Sequence, residues 1–156
     1  MAINIGIPNK DRQAVVKLLQ PLLADMVSLY FATRGAHWNV VGPNFGPLHA
    51  FFEEQYDMID EEMDQVAERI RSLGEPAPST LSGYVKSKRI ADDAGEAKTA
   101  KAMLTGLLAA HEALIRNLRE DADASSKHGD EGTADFLTGL MEAHEKMAWM
   151  LRAHIE

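Results

Sequence analysis

The chain has 156 residues and a formal net charge of −8, with 46% apolar and 26% charged residues. This composition is typical of one soluble globular domain, and we expect a single domain over residues 1–156 with a short N-terminal tail over residues 1–10. The acidic charge disfavours binding to a phosphate backbone, and a sequence without cysteine excludes disulfides, thiol nucleophiles and Cys-ligated metal sites. No run of about 18 apolar residues is present and the opening residues lack a secretory pattern, so we expect a cytoplasmic protein that does not span a membrane.

Helical spacing of apolar residues dominates the first half of the chain. A first helix is predicted over residues 11–38, with Pro21 inside the pattern, where it either kinks the helix or marks a later start. A loop rich in glycine and proline leads into a second helix over residues 48–73. Pro47 suits the first turn of that helix, and Gly74 suits its C-terminal cap.

The second half of the chain continues the helical pattern after a break. A short mixed segment over residues 81–94 precedes a third helix over about 95–124. A further break at residues 125–132 is followed by a last helix that runs to the C-terminus. Four long helices with one long middle connection predict an all-α, ferritin-like four-helix bundle, with a short helix in the crossover between helices two and three.

Polar residues form a second stripe on helix two, away from its apolar stripe. His49 and Glu53 form one pair at spacing i,i+4, and Asp64 and Glu68 form another. Each pair can chelate a metal ion, but about 22 Å of helical rise separates them, so one chain cannot use both pairs at one ion. An antiparallel copy of the same helix would bring the first pair of one chain against the second pair of the other, giving two equivalent sites.

The same stripe has a plainer interpretation, because helix two is rich in acidic residues and such a run is usually a solvated surface. The acidic residues outside the stripe are Glu54, Asp57, Asp60, Glu61 and Glu62. Imidazole and carboxylate ligands without sulfur suit Fe(II), Mn(II) or Zn(II), and the spacing does not choose among these metals.

The other histidines and the first tryptophan give weaker signals. His37 ends helix one beside Trp38. Taken alone, the histidine suggests a capping or surface residue and the tryptophan a core or interface anchor. His111 and His144 lie on apolar stripes, so we expect them to be core histidines with satisfied hydrogen bonds.

The segment HWNVVGPNFGPLHAFFEEQYDMIDEEMDQVAERI, residues 37–70, resembles the signature of the Dps mini-ferritins. It has His-Trp-Asn, then Gly-x-x-Phe-x-x-Leu-His, then Asp-x-x-Ala-Glu-Arg at the spacing of that family. The similarity extends from about residue 11 to the end, and TADFLTGLMEAHEKMAWML, residues 133–151, resembles the last helix of the family.

The resemblance implies a ferroxidase site shared between two subunits. The ligand positions of the family fall on five residues, three from one subunit and two from its partner: His37, His49 and Glu53, with Asp64 and Glu68 of the partner subunit. Some members have Asp where this chain has Glu53, whose side chain is longer by one methylene and can still reach the metal ion. Trp38 matches the family tryptophan beside the iron, which is thought to help take up oxidising equivalents.

The resemblance also implies a function and an assembly. Fe(II) would be oxidised at a di-iron or mono-iron centre, with hydrogen peroxide as the usual oxidant and with zinc or manganese as possible substitutes. Fe(III) would be stored inside a hollow dodecamer built from two-fold dimers, protecting the cell from oxidative damage. Asp135 matches a position of the acidic pore that admits Fe(II), and Asp130 and Glu131 are nearby candidates.

Two alternatives remain open from the sequence. Many Dps relatives condense DNA through basic tails, but here the basic residues at the N-terminal end are only Lys10 and Arg12, at the start of the first predicted helix and beside Asp11. We therefore do not expect DNA binding. The other alternative is a metal-binding shell with a different activity at the subunit interface.

Overall fold

The computed structural model describes residues 3–91 and 93–156 of the chain. Five helices and one 3₁₀ turn follow in chain order: α1 (Asn9–Asn39), α2 (Phe45–Ser72), α3 (Leu81–Ser87), the turn over Asp93–Glu96, α4 (Ala100–Lys127) and α5 (Glu131–Ala153). The prediction of an all-α fold with a short helix in the crossover is confirmed for these residues.

The four long helices enclose one hydrophobic core. α1 packs most extensively against α2, and α4 against α5, while α1 also contacts α4 and so joins the two hairpins. Side chains at the predicted spacing are buried on each helix, and Leu19, Phe52, Leu114 and Leu137 are among those with no exposed surface. Burial of these stripes is what drives the helices together, because isolated helices are only marginally stable in water.

Several predicted helix boundaries differ from the observed ones: α2 begins at Phe45, before residue 48, and α5 ends at Ala153, before the C-terminus. Capping residues set the starts of the last two long helices. The third long helix begins at Ala100 rather than near residue 95, because the Thr99 side chain accepts a hydrogen bond from the Ala102 N–H and caps the helix there. The predicted break at 125–132 is shorter, since α4 continues to Lys127. Asp130 then caps α5 by accepting from the Thr133 N–H at 2.9 Å.

Pro21 and Gly74, both in the α1–α2 hairpin, had been assigned roles from the sequence that the structure now tests. α1 runs through Pro21 without interruption, so the proline does not mark a later helix start. Gly74 follows α2 with a φ of 108°, the left-handed conformation that glycine adopts without strain, as predicted for a C-terminal cap. A Cβ at this position would also lie 2.6 Å from Cδ1 of Ile3, the flexible end of that side chain, so the backbone conformation rather than this contact favours glycine.

Helix α1 is long and apolar enough, by length and composition, to cross a membrane. Its apolar side chains instead form much of the bundle core, where Val15, Leu22 and Met26 are fully buried. Its hydropathy is therefore that of a helix at the centre of a folded domain.

An ion-pair network fastens the crossover segment to the bundle. The Arg89 guanidinium contacts Asp25 of α1 at 2.8 Å and Asp121 of α4 at 2.9 Å. Asp25 has no exposed surface, and it also accepts hydrogen bonds from the backbone N–H groups of Arg89 and Ile90. Burial raises the pKa of the Asp121 carboxyl, and the contact with Arg89 opposes that rise. The single guanidinium therefore bridges two buried carboxyl groups and ties three segments together.

A buried polar cluster lies in the core between α2, α4 and α5. His111 and His144 have no exposed surface, as predicted for core histidines, and their Nδ1 atoms form a hydrogen bond of 2.9 Å. Nε2 of His144 lies 2.9 Å from Oε2 of Glu62, an ion-pair distance without hydrogen-bond geometry. Nε2 of His111 has no hydrogen-bond partner among the described residues, so the prediction of satisfied hydrogen bonds is only partly confirmed. Glu62 was expected on the solvated acidic surface, but it is only 8% exposed because His144 supplies a polar contact inside the bundle.

This cluster predicts that acid destabilises the fold. Burial, and secondly the neighbouring His144, lower the pKa of His111 well below its usual value of 6.5. The unfolded chain therefore takes up a proton near pH 6.5 that the folded chain does not, so stability is fully present above that pH. It decreases as the pH falls toward the folded pKa, by about 1.4 kcal/mol per pH unit for this one group.

The measurement is urea unfolding at fixed protein concentration at about pH 7.5 and about pH 5.5. We expect His111→Gln to lose stability at the higher pH but to show a smaller decrease on acidification. His128→Gln is the control, because His128 is partly exposed and pairs with Asp11 outside the core. An unchanged pH dependence in His111→Gln would contradict the prediction.

Candidate metal centre

The α1–α2 hairpin brings two predicted ligands into contact. His37 lies in the last turn of α1 and His49 near the start of α2, on either side of a short loop. Their imidazole rings stack with centroids 3.7 Å apart and an interplanar angle of 20°. His37 is only 8% exposed, so it is neither the capping nor the surface residue that its position alone suggested.

Hydrogen bonds fix the tautomer of both histidines. Nδ1 of His37 lies 2.8 Å from the carbonyl oxygen of His49, and Nδ1 of His49 lies 2.8 Å from the carbonyl oxygen of His37. A carbonyl only accepts, so each Nδ1 carries the proton and donates it. In the neutral rings, each Nε2 then keeps its lone pair, which is the form that binds a metal ion.

Glu53 lies one helical turn after His49 on α2, and its side chain is exposed. Its Oε1 accepts a hydrogen bond of 3.3 Å from the hydroxyl of Tyr56. The Tyr56 ring packs edge-on against His37, with centroids 5.2 Å apart. Desolvation, and then the Glu53 carboxylate, raise the pKa of Tyr56 above its usual 10.0, so the phenol keeps its proton at neutral pH.

The other two predicted ligands lie further along the same helix. Asp64 and Glu68 are exposed, and about 16 Å of helical rise separates Glu53 from Asp64. Within residues 3–91 and 93–156, no group of three or more His, Asp or Glu side chains is arranged to hold a metal ion. One chain therefore brings His37 and His49 into contact, with Glu53 one helical turn after His49, and leaves Asp64 and Glu68 further along the same helix.

Large apolar side chains are exposed around these donors. Trp38 is 60% exposed beside His37, and Arg34 lies with its Cζ 5.7 Å from the Trp38 ring. Phe45 is also exposed, and its ring stacks against His49 with centroids 5.1 Å apart. Exposed apolar side chains of this kind are typical of a surface that contacts another protein chain.

The three acidic pore candidates, Asp130, Glu131 and Asp135, lie at and just after the start of α5. They differ in whether their carboxylates are free to line a pore. Asp130 is only 1% exposed, because it caps α5 and forms an ion pair of 2.7 Å with Arg69. This placement argues against a pore role for Asp130, whose carboxylate is already used within the chain. Glu131 and Asp135 are exposed, and both remain candidates.

Sequence reasoning missed Tyr56 and Arg34 as neighbours of the site. Arg34 lies with its Cζ 4.7 Å from the Tyr56 ring and 5.5 Å from the Tyr30 ring, and it donates to the Tyr30 hydroxyl. The spacing of Tyr56, three residues after Glu53, could have indicated their contact, because residues at i,i+3 are neighbours on a helix. Arg34 precedes His37 by three residues and Trp38 by four, so the same rule could have placed it beside them.

Known proteins match the chain over most of its length. A family model of the ferritin-like domain matches residues 16–156. A low temperature-induced protein of Nostoc sp. is 46% identical over 155 residues, which cover 99% of this chain and 87% of that protein. DNA protection during starvation protein 2 of Bacillus anthracis is 33% identical over 141 residues, which cover 90% of this chain and 96% of that protein.

A solved structure agrees with the sequence matches. The Dps protein from Vibrio cholerae O1 is described as a member of a broad superfamily of ferritin-like diiron-carboxylate proteins. It superposes with a TM-score of 0.93 at 32% identity, over 100% of this chain and 98% of that chain.

The helical bundle, its crossover and the matched domain define a ferritin-like protein. Within that class, the chain belongs to the Dps family of mini-ferritins. At the level of this family the protein is a soluble iron-storage protein of the ferroxidase type.

Proposed function

We propose that two copies of this chain complete a ferroxidase centre at their interface. His37, His49 and Glu53 of one subunit bind Fe(II) together with Asp64 and Glu68 of the partner subunit. The centre oxidises Fe(II) with hydrogen peroxide, and Fe(III) is stored inside a hollow dodecameric shell in the cytoplasm. In this way the protein removes iron and peroxide together and limits oxidative damage.

One observation carries the proposal: the chain presents half of a metal site on an exposed apolar surface. His37 and His49 hold their Nε2 lone pairs free, and Glu53 lies one turn away. The carboxylates that would complete the site are exposed on the same helix, too far along it to reach. An isologous contact between two α2 helices would supply both halves twice.

The donor set suits the oxidation of iron. Imidazole nitrogen binds Fe(II), while carboxylate oxygens, as hard anionic ligands, favour Fe(III), so the product state is stabilised relative to the reactant. Two Fe(II) ions each give up one electron, the O–O bond of one peroxide breaks, and two protons from solution complete two water molecules. No hydroxyl radical is released when both electrons reach the same peroxide.

The acidic surface would supply Fe(II) to the centres. The chain has a formal net charge of −8, and a negative potential raises the local concentration of cations. Glu131 and Asp135, both exposed, are the candidates for lining an entry pore between subunits.

Exposed Trp38 adjoins His37, where it can transfer an electron when only one Fe(II) is bound. Because an indole is more easily oxidised than the surrounding aliphatic side chains, it would take up the oxidising equivalent that the iron cannot. Trp38→Phe tests this role by spin trapping of radicals released during the reaction.

Stopped-flow oxidation of Fe(II) by peroxide, under anaerobic conditions, tests the proposed function. The wild type should oxidise about two Fe(II) per peroxide. His37→Ala combined with His49→Ala should slow the reaction by more than about tenfold, because it removes both nitrogen donors. His154→Ala is the control, since this exposed histidine lies outside the centre. An unchanged rate in the double variant would refute the assignment.

Arg12, one of the two basic residues near the N-terminus, gives no support for DNA binding. The residue is only 8% exposed. It donates to the backbone carbonyl oxygens of Ile7 at 2.8 Å and Leu73 at 3.3 Å, and to the Asn9 side chain at 3.0 Å. Arg12 therefore holds the N-terminal segment against the end of α2 rather than extending toward a phosphate backbone.

A further inference from the structure

We propose that Tyr56 is a positioning residue that selects the oxygen with which Glu53 meets the metal ion. Its hydroxyl donates to Oε1 of Glu53, which leaves Oε2 as the metal-binding atom and makes Glu53 a monodentate ligand. This inference rests on the proposed ferroxidase centre and adds to it a residue and a mode of coordination.

The need for a positioning residue follows from the length of Glu53. Glutamate has one more rotatable bond than aspartate, so more orientations of the carboxylate must be excluded before it can bind a metal ion. Tyr56 lies three residues after Glu53 on the same helix face, within reach of the carboxylate. At 3.3 Å the O···O distance is longer than in a typical O–H···O hydrogen bond, so the contact is weak, and it favours one orientation of the carboxylate without holding it rigidly.

The phenol can act in this way because its own ring is held in place. Tyr56 is buried, and its ring packs edge-on against both His37 and Tyr30. The Arg34 guanidinium lies over the ring with its Cζ 4.7 Å from the centroid, a cation–π contact that restricts the ring further. The hydroxyl is thus presented to Glu53 from a fixed direction.

Each donor on this subunit then has a second partner that orients it. His37 and His49 orient each other through reciprocal bonds from Nδ1 to a backbone carbonyl. Glu53 lacks such a backbone contact, and Tyr56 supplies the equivalent hydrogen bond. Outer partners of this kind raise metal affinity because the ligands are already in place when the ion arrives.

A double-mutant cycle on Co(II) binding tests the inference. Co(II) is titrated into iron-free, assembled protein, and binding is followed by calorimetry and by visible absorption, whose intensity falls as the coordination number rises. Tyr56→Phe should weaken Co(II) binding by about tenfold, because Glu53 is no longer oriented before the ion arrives. It should also lower the absorption per ion, because Glu53 becomes free to bind through both oxygens. In a Glu53→Asp background, Tyr56→Phe should change the affinity by less than about twofold, since the shorter carboxylate does not reach the phenol.

Two further variants separate the explanations. Thr105→Val is the control, because it removes a hydroxyl that donates to the Lys101 carbonyl oxygen on α4, and it should leave Co(II) binding unchanged. Equal losses from Tyr56→Phe in both backgrounds, or no loss in either, would overturn the inference alone. If His37→Ala left Co(II) binding at the wild-type level, the proposed centre itself would fail, and this inference with it.

Discussion

Two inactive variants should restore activity when they assemble together. One chain carries His37→Ala and His49→Ala, and the other carries Asp64→Asn and Glu68→Gln. Each variant alone should oxidise Fe(II) with peroxide only at the background rate. In a mixed dimer, the site that combines the histidines of the second chain with the carboxylates of the first contains every wild-type ligand. Random assembly of equal amounts should therefore recover about a quarter of the wild-type sites.

The experiment requires both chains to be produced in one cell and the mixed shells to be isolated through two different affinity tags. Stopped-flow oxidation per subunit then measures the recovery. The matched control pairs the His37→Ala, His49→Ala chain with a Glu53→Ala chain. Both changes then lie in the same half of the site, so no combination of the two chains contains a complete set. Recovery in the control pair, or none in the test pair, would exclude a site shared between subunits.

The parts of this fold that were predictable from sequence are those set by local spacing. Leu19 and Leu22 of α1 are buried because the 3.6-residue period places them on one face, and the same rule located the core stripes of the other helices. The helix ends were less predictable, because they depend on single caps. Thr99 moves one helix start, and Asp130 is one of several polar residues that could have capped α5.

The contacts that sequence reasoning missed join residues that are distant in the chain. Glu62 is acidic and belongs to an acid-rich helix, so nothing local distinguishes it from its exposed neighbours. It is buried because His144, from the last helix, lies 2.9 Å away. The contact between Asp25 and Arg89 has the same character, since it joins α1 to the crossover. A pattern read along one helix does not show which polar residue another helix will meet.

The candidate site depends both on local helical spacing and on contacts between different helices. His49 and Glu53 could be paired from helical spacing alone, and the structure places them on one face of α2. The contact between His37 and His49 could not be predicted from spacing along one helix, because it depends on how the hairpin folds, although both residues flank one short loop. The pairing with a second subunit was inferred from what a single helix cannot bring together, and it stays a prediction until the mixed-shell experiment is done.

The network around Arg89 is expected to contribute more to stability than any exposed ion pair of the chain. In Arg89→Ala, the carboxyl groups of Asp25 and Asp121 lose their guanidinium while remaining buried. Breaking a buried pair from one side costs about 3–5 kcal/mol of unfolding free energy, because a charge is left without compensation. The same change also releases the crossover segment, including α3, which packs on α1.

Urea unfolding at fixed protein concentration measures the loss, with Arg119→Ala as the control. Arg119 pairs with Glu145 on the exposed surface, so its removal should cost less than about 1 kcal/mol. Adding Asp25→Asn and Asp121→Asn to Arg89→Ala should recover part of the stability, since no unpaired charge remains and the amide oxygen introduced at position 25 can still accept from the backbone N–H groups. If the triple variant were less stable than Arg89→Ala, the cost would come from lost hydrogen bonds and packing rather than from the buried charges.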